Sequence, residues 1–340
     1  MVARSVANGL LVLSRRDVVD LLSLRDCIDA IEGAFRLHAE GRTLGPGVLS
    51  VHAAAGGFHI KAAGLTGRRS YFAAKVNGNF SQNPRRCGRP AIQGVIVLSD
   101  AETGTPLAIM DSIEITALRT AATTALAARC LARASASVAT VVGCGVQGRY
   151  HVRALAQTLA LERIWLHDIA TERAEMLAGE LTAELGLPVG AATDLRAAVR
   201  RSEVCITCTP ARAPLLGPAD LPPGLFLGAI GADSNDKQEL EPEVLASAAV
   251  VVDHLEQCAT IGELHHALAR GVMTRADVRA ELWEVVAGRR PGRVSDEEVV
   301  VFDSSGTALQ DVAVAAMMYE RAEESRSGRT VDFGMEAAHG

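Results

Sequence analysis

The sequence predicts an α/β protein: a Rossmann doubly wound parallel sheet joined to a smaller α+β domain. Three observations predict it. Apolar strands and helical stretches alternate from about residue 138 to 303. A glycine turn, Gly143-Cys-Gly145-Val-Gln-Gly148, follows the first of those strands and opens a helix. Ahead of that region runs a meander of short strands with one helix, an antiparallel pattern. A chain of 340 residues suits two domains. The boundaries fall at 1–118 with 308–340 for the smaller domain and at 119–307 for the Rossmann domain.

The elements follow in order. Ser23 is an N-cap for a helix over 24–40, with Cys27, Ile28, Ile31, Phe35 and His38 on one face and Gly41 at its end. Strands are expected at 48–52, 58–62, 71–76 and 92–99, separated by Gly-rich or polar turns. The segment 106–110 closes a hairpin with the last of them. A long helix over 112–133, rich in Ala, Leu and Thr, hands the chain to the second domain. There the reading is strand 138–142, helix 147–159, strand 163–168 and helix 172–185. Apolar strands follow at 204–209, 225–230, 250–253 and 299–303. A helix over 308–325 returns to the first domain. The polar tail after it is expected to be loosely held.

Composition excludes several classes. The net charge of −6 lacks the basic excess of a nucleic-acid binder. No run of eighteen apolar residues exists to span a membrane. The amino-terminal apolar patch has no small-residue cleavage site after it, and Asp17 and Asp20 follow soon. A cytoplasmic protein is the expectation. The seven cysteines are odd in number and irregular in spacing, which does not suit a disulfide framework. Cys205 and Cys208 form a C-x-x-C, but they lie in a stretch that reads as a buried strand. His265 and His266 are adjacent on a helix and point in different directions, so no metal site is assigned.

The glycine turn is the sharpest chemical motif. Gly143 permits the tight turn, Gly145 lets a pyrophosphate approach the backbone, and Gly148 lets the helix pack closely on the strand. Val146 and Gln147 lie within the turn. Twenty residues beyond Gly148, at the end of the next strand, stands Asp168, at the spacing where a carboxylate accepts from the adenosine ribose hydroxyls. An Asp there repels a 2′-phosphate, so NAD(H) is favoured over NADP(H), although His167 and Arg173 stand nearby.

Five stretches together resemble the ornithine cyclodeaminase/mu-crystallin family. They are Ala74-Lys75-Val-Asn-Gly78, Ala117-Leu-Arg119-Thr120-Ala-Ala-Thr123, the glycine turn, Gly231-Ala-Asp233-Ser-Asn-Asp-Lys237-Gln-Glu-Leu240 and Val301-Phe-Asp303-Ser304-Ser-Gly306. The resemblance covers essentially the whole chain. It implies a homodimer, with a substrate-binding and dimerisation domain interrupted by a Rossmann domain. It also implies NAD(P)-dependent hydride transfer at the α-carbon of an amino or imino acid. It assigns Lys75 to the substrate carboxylate and Asp233 to proton transfer, both as catalytic residues. Arg119, Thr120, Thr207, Gly231, Lys237 and Ser304 fall at cofactor positions, and Ser305, His59 and Lys61 at substrate positions.

Two departures bear on the substrate. Many members carry an Arg where this chain reads Gly47. Ornithine cyclodeaminases carry a glutamate near the position of His59, which suits a distal ammonium; His59 and Lys61 supply no negative charge, and Lys61 could instead serve a carboxylate. The reading therefore favours an amino-acid dehydrogenase or ketimine reductase. Ornithine or lysine cyclodeaminase is the alternative, with Asp233 alone serving the ammonium. A non-catalytic NAD(P)H-binding protein is the second.

Overall fold

The computed structural model describes residues 9–332 and 334. The readings of the first eight residues and of the extreme carboxyl-terminal tail lie outside the described residues. The chain divides into two compact units, one running to Arg119 and resuming at Ala308, the other spanning Thr120–Thr307.

The first unit opens with β1 (Gly9–Leu13), α1 (Arg15–Leu21) and α2 (Leu24–Ala39). Then come β2 (Thr43–Ala53), β3 (Gly56–Leu65), β4 (Tyr71–Asn79), α3 (Asn83–Cys87), β5 (Ile92–Asp100) and β6 (Pro106–Asp111). Helix α4 (Ile113–Leu131) carries the chain into the second unit. That unit holds β7 (Val138–Val142), α5 (Val146–Thr158), β8 (Arg163–His167), α6 (Thr171–Leu185), β9 (Val189–Ala191), α7 (Leu195–Val199), β10 (Val204–Thr207) and β11 (Arg212–Leu216). It continues with β12 (Phe226–Ala229), β13 (Gln238–Leu240), α8 (Pro242–Ala246), β14 (Ala249–Val252), α9 (Leu255–Ile261) and α10 (Glu263–Arg270). It ends with β15 (Ala280–Glu281), α11 (Leu282–Val286) and β16 (Val300–Asp303); α12 (Ala308–Ser325) and β17 (Arg329–Asp332) then complete the first unit.

In the first unit a seven-stranded sheet has the order β17-β1-β6-β5-β4-β3-β2. Strands β2 to β6 form the expected antiparallel meander. Register fixes its two faces, because alternate residues point to opposite sides. Tyr71, Ala73, Lys75 and Asn77 of β4 are buried, and helix α12 packs against β3, β4 and β5 and against α2. The other face carries Leu49, Val51, Phe58, Phe72 and Val95, all exposed. Helix α2 starts as its sequence dictates: the Ser23 hydroxyl accepts from the Asp26 amide at 3.3 Å.

Three differences from the sequence reading have physical causes. Gly9–Leu13, read as an apolar patch, is a strand, because it pairs in parallel with β6 and antiparallel with β17. Those partners lie far away in sequence, where periodicity cannot point to them. The tail, expected to be loose, supplies Arg329–Asp332 to that same pairing. Strand β2 begins at Thr43, through Gly45-Pro46-Gly47, and lies at the edge of the sheet, where a proline costs no ladder bond.

The second unit has an eight-stranded sheet in the order β15-β14-β16-β12-β10-β7-β8-β9, with every pairing parallel. Strand order reverses at β7, where β8 leaves to one side and β10 to the other, so the carboxyl end of β7 is the topological switch point. Short β11 and β13 form a separate parallel pair. Apolar residues such as Val142, Cys205, Leu227, Val250 and Val301 fill the core under this sheet. Among the described residues no helix is long and apolar enough to cross a membrane.

Candidate functional site

The glycine turn sits at the switch point, immediately after β7. Gly143 has φ +100°, a conformation that favours glycine. A Cβ on Gly148 would lie 2.0 Å from the Gly143 carbonyl oxygen, so the helix packs on the turn only with glycine there. A Cβ on Gly145 would meet nothing within 4 Å. This residue caps α5, and no side chain satisfies the helix's first amides. Those amides face open space beside Val146, which is exposed. The cradle fits a dinucleotide pyrophosphate, with backbone N–H groups toward the anion. Beneath it His151 is fully buried, with Nδ1 2.8 Å from the Gln147 carbonyl and Nε2 3.0 Å from Thr124 Oγ1. Burial pushes its imidazole down to about 4, so the ring is neutral.

Asp168 follows β8 and is tied to this turn. One carboxylate oxygen accepts from the Cys144 amide at 2.9 Å, the other from the Ala170 amide at 3.0 Å. Arg173 Nη1 stands 3.9 Å away. Each carboxylate oxygen has a second lone pair for a ribose hydroxyl. Ile169 beside it is 98% exposed.

The neighbouring loops are organised by acidic residues that the sequence reading did not single out. Glu239 is fully buried. Its carboxylate accepts from Thr207 Oγ1 at 2.8 Å, from the Thr209 amide and hydroxyl at 2.7 Å each, and from the Gly231 amide at 2.8 Å. The loops after β10 and β12 are thereby tied to one side chain. Glu263 in turn accepts from the amides of Glu239 and Leu240, and Asp303 from the amides of Glu263 and Leu264. Asp253 accepts from the hydroxyls of Ser304 and Ser305 and from the Gly306 amide. Burial, and then the charge of Asp303, pushes Glu263 up to about 9; burial above all lifts Asp303 to about 7. Burial raises Glu239 as well.

Thr207, Ser304 and Ser305 therefore point their hydroxyls at buried carboxylates. Asp233 and Lys237 form an ion pair of 2.6 Å on the segment after Gly231, and the Asp233 side chain is 53% exposed. Cys205 is buried in β10, and the Cys208 thiol donates to the carbonyls of Val142 and Gly143. Burial raises both thiols, which makes them poor nucleophiles. The rings of His265 and His266 pack edge to face at 4.7 Å, where adjacency on a helix led the sequence reading to turn them apart. Among the described residues no cluster of His, Cys, Asp and Glu could hold a metal ion.

The first unit holds a second polar centre, on the inner face of its sheet. Lys75 Nζ lies 2.8 Å from Oδ1 and 2.7 Å from Oδ2 of Asp311 on α12. Arg119 Nε lies 3.1 Å from Oδ1 of the same carboxylate, and its Nη1 donates to Gln310 Oε1 at 2.6 Å. Burial pushes Lys75 down to about 7, opposed by Asp311 and assisted by Arg119 and Lys61. Burial works against the charged form of Asp311, but Lys75 and Arg119 outweigh it and hold the carboxyl below its usual range. Lys61 of β3 is directly opposite Lys75 in register, and His59 is opposite Asn77. The His59 Nδ1 is 3.2 Å from Ser50 Oγ. Asn77 accepts from the Ser112 hydroxyl at 2.6 Å. A Cβ on Gly94 would lie 2.1 Å from the Asn77 Oδ1, so glycine leaves room for that bond. Thr120 follows Arg119 in α4, and its carbonyl accepts from the Thr124 hydroxyl at 3.1 Å.

Lys75, Lys61, His59 and Arg119 are thus gathered in the first unit. Gly143, Gly145, Gly148, Asp168, Thr207, Gly231, Asp233, Lys237, Ser304 and Ser305 belong to the second. Asp311 and Glu239 were missed. The signal for Asp311 was its place in the first turn of a helix, Ala308-Leu-Gln-Asp311, whose opening is buried almost throughout.

Comparison with known proteins agrees with this geometry. The family model for the ornithine cyclodeaminase/mu-crystallin family matches residues 9–326. An alanine dehydrogenase of Archaeoglobus fulgidus is 36% identical over 323 residues, covering 95% of this chain and 98% of that protein. Among solved structures, an archaeal alanine dehydrogenase dimer with bound NAD superposes with a TM-score of 0.91 at 35% identity, covering 96% of this chain and 99% of the other. The Δ1-pyrroline-2-carboxylate reductase of Thermococcus litoralis, in complex with NADH and L-proline, gives 0.90 at 30% identity, covering 95% and 100%. The chain belongs to the ornithine cyclodeaminase/mu-crystallin family.

Proposed function

We propose that this protein is an NAD(H)-dependent oxidoreductase acting at the α-carbon of a small L-amino acid or its imine. The observation that carries the reading is a buried lysine, Lys75, held on a sheet face by Asp311, in a chain that also has a glycine cradle with a ribose-type carboxylate. A buried ammonium is costly and calls for an anionic partner. A substrate carboxylate supplies one beyond Asp311. When bound, NAD(H) supplies or accepts the hydride.

The chain's own residues then position and move protons. Lys75 anchors the α-carboxylate and orients the α-carbon. In the reductive direction the iminium carbon gains hydride, the C=N electron pair returns to nitrogen, and the amine takes one proton. Asp233 is the group assigned to that proton transfer; in the oxidative direction it takes the proton from the ammonium. Asp168 serves the adenosine ribose and Arg119, Thr120, Val146, Gln147, Gly231 and Lys237 the rest of the cofactor site, with Thr207 and Ser304 acting through the loops their hydroxyls fix.

Two further readings accompany this one. The exposed apolar face of the first unit's sheet, with Leu49, Val51, Phe58, Phe72 and Val95, docks a second copy and makes a homodimer. The seven free thiols suit a reducing cytoplasm.

The test is a substrate panel: L-alanine, L-proline, L-ornithine and L-lysine with NAD⁺, and 2-oxo acids plus ammonium or cyclic imines with NADH. Product analysis accompanies the absorbance at the reduced-cofactor wavelength, because a cyclodeaminase regenerates its cofactor. Cofactor turnover with an amino or imino acid is expected. Binding of NADH with no turnover of any member would overturn the reading.

A further inference from the structure

One carboxylate of the second unit receives the backbone of two strand ends. Oε2 of Glu239 accepts from the Gly231 amide and the Thr207 hydroxyl, at 2.8 Å each. Oε1 accepts from the Thr209 amide and hydroxyl, at 2.7 Å each. Each oxygen thus takes two donors, which uses both of its lone pairs. Thr207 and Thr209 belong to the end of β10, and Gly231 follows β12, which pairs in parallel with β10. These ends approach so closely that a Cβ on Gly231 would lie 2.3 Å from the Thr209 carbonyl oxygen and 2.5 Å from the Glu239 carboxyl carbon. Glu239 is fully buried, so a donor that lost this partner would not regain it from bulk water.

Both sides of this carboxylate bear on the chemistry. On one side, the Asp233 amide donates to the Gly231 carbonyl at 3.0 Å, so the backbone at Asp233 is tied to the residue that Glu239 holds. The far end of that loop is fixed as well. The Lys237 carbonyl lies 2.8 Å from His266 Nε2, and the Gln238 amide donates to the Ala211 carbonyl at 3.0 Å. On the other side, Cys208 stands between the two threonines. Its amide donates to the Val142 carbonyl at 2.9 Å, and its thiol to the carbonyls of Val142 and Gly143. Glu239 therefore links the loop that carries Asp233 to the strand end that grips the glycine turn.

We propose that Glu239 is a positioning residue: its carboxylate holds the Asp233 loop in register with the end of β10 and the glycine turn, and so sets where the proton-transferring group stands against the bound cofactor. This rests on the assignment of the chain as an NAD(H)-dependent amino- or imino-acid oxidoreductase in which Asp233 moves the proton. The role requires a carboxylate and not its amide. A backbone N–H, which can only donate, meets each oxygen, so the NH2 group of a glutamine would face an N–H whichever way it turned. Glu239→Gln keeps the shape of the side chain and releases either Gly231 or Thr209.

The experiment is a double-mutant cycle. The parent, Glu239→Gln, Asp233→Ala and the double variant are compared in kcat and KM, with the member of the amino- and imino-acid panel that the parent turns over fastest. NADH affinity, followed by fluorescence, reports that each variant is folded. Glu239→Gln is expected to lower kcat by about tenfold or more, since a small displacement of a reacting group is costly, and to change KM less. In the Asp233→Ala background the same substitution is expected to change kcat by less than about twofold, because no carboxylate is left to place. Thr209→Val removes one donor and leaves the Glu239 carboxylate; it serves should Glu239→Gln not fold, with the same pattern expected at smaller size. An equal factor in both backgrounds overturns the proposal, makes Glu239 a general support of the fold and leaves the oxidoreductase assignment standing. A parent-like kcat for Glu239→Gln does the same, as does parent-like turnover by Asp233→Ala. No turnover of any panel member by a parent protein that binds NADH overturns both.

Discussion

Lys75 and Asp311 form an ion pair that is almost wholly out of water: the ammonium lies 2.7 and 2.8 Å from the two carboxylate oxygens, and the side chains are 4% and 2% exposed. Desolvating both charges is costly, and their attraction repays it only with good geometry and further hydrogen bonds. Arg119 at 3.1 Å supplies a further partner. The pair joins β4 to α12, two elements 236 residues apart in sequence at these positions. It therefore holds the charge of Lys75 at a fixed place on the sheet.

Replacing Asp311 by Asn should show this directly. Without the carboxylate, nothing at that position offsets the burial of Lys75, and its pKa, already down to about 7, should fall further. The charged form that anchors a carboxylate then disappears at lower pH. The alkaline limb of kcat/KM should move toward acid by about one unit, which is about a tenfold loss at a pH above it. Asp311→Glu, which restores the charge, should recover part of the shift. A pH profile that coincides with the parent's would remove this role for Asp311.

Cofactor choice should reside in Asp168. Its carboxylate is fixed by two backbone amides at the glycine turn, so its position is set before any ligand arrives. Asp168→Ala should weaken NAD(H) more than NADP(H), because the variant loses a ribose acceptor and a repulsion of the 2′-phosphate together. Affinities for both cofactors, measured by fluorescence titration, check this. Equal losses, or a parent preference for NADP(H), would count against it.

The parts legible in the sequence are those whose signals are local. The glycine turn could be read because its demands are local: Gly143 takes φ +100°, and a Cβ on Gly148 would lie 2.0 Å from the Gly143 carbonyl oxygen. Lys75 and Asp233 were found through motifs, each contained in a short stretch. Asp311 lies in none of those stretches, and Glu239, though it lies within one, carries no local sign of its role. Asp311 acts on residues of β4 and α4, and Glu239 on the ends of β10 and β12, through contacts that exist only after the strands are ordered. The same holds for β1 and β17, which are short apolar or polar runs until they pair.

The carboxylates of the second unit predict a pH-dependent stability. Glu263 is held up to about 9, so the native protein keeps a proton that the unfolded chain releases near its ordinary range. That contribution is complete at low pH and is lost as pH rises through about 9; Asp303, at about 7, adds an earlier step. Between pH 6 and 9 the unfolding free energy should therefore decline, by up to about 1.4 kcal/mol per pH unit for one such proton. Denaturant unfolding across that range measures it. Glu263→Gln should flatten the slope, whatever it does to the absolute value. Parallel slopes for parent and variant would show that Glu263 does not carry the proton.

The proposed catalytic pair makes a prediction in which two substitutions differ in kind. Lys75 is assigned to the substrate carboxylate, an interaction present in both the bound ground state and the transition state. Lys75→Ala should chiefly raise KM, with some loss of kcat because the anchor also orients the α-carbon. Asp233 is assigned to a proton that moves during the reaction. Asp233→Ala should chiefly lower kcat, by about a hundredfold or more. Neither Lys75→Ala nor Asp233→Ala should much alter NAD affinity, because the cradle and Asp168 are untouched by both. Near-normal turnover by Asp233→Ala would transfer the proton step elsewhere, and the buried Lys75, with its pKa near 7, would be the group to test for it.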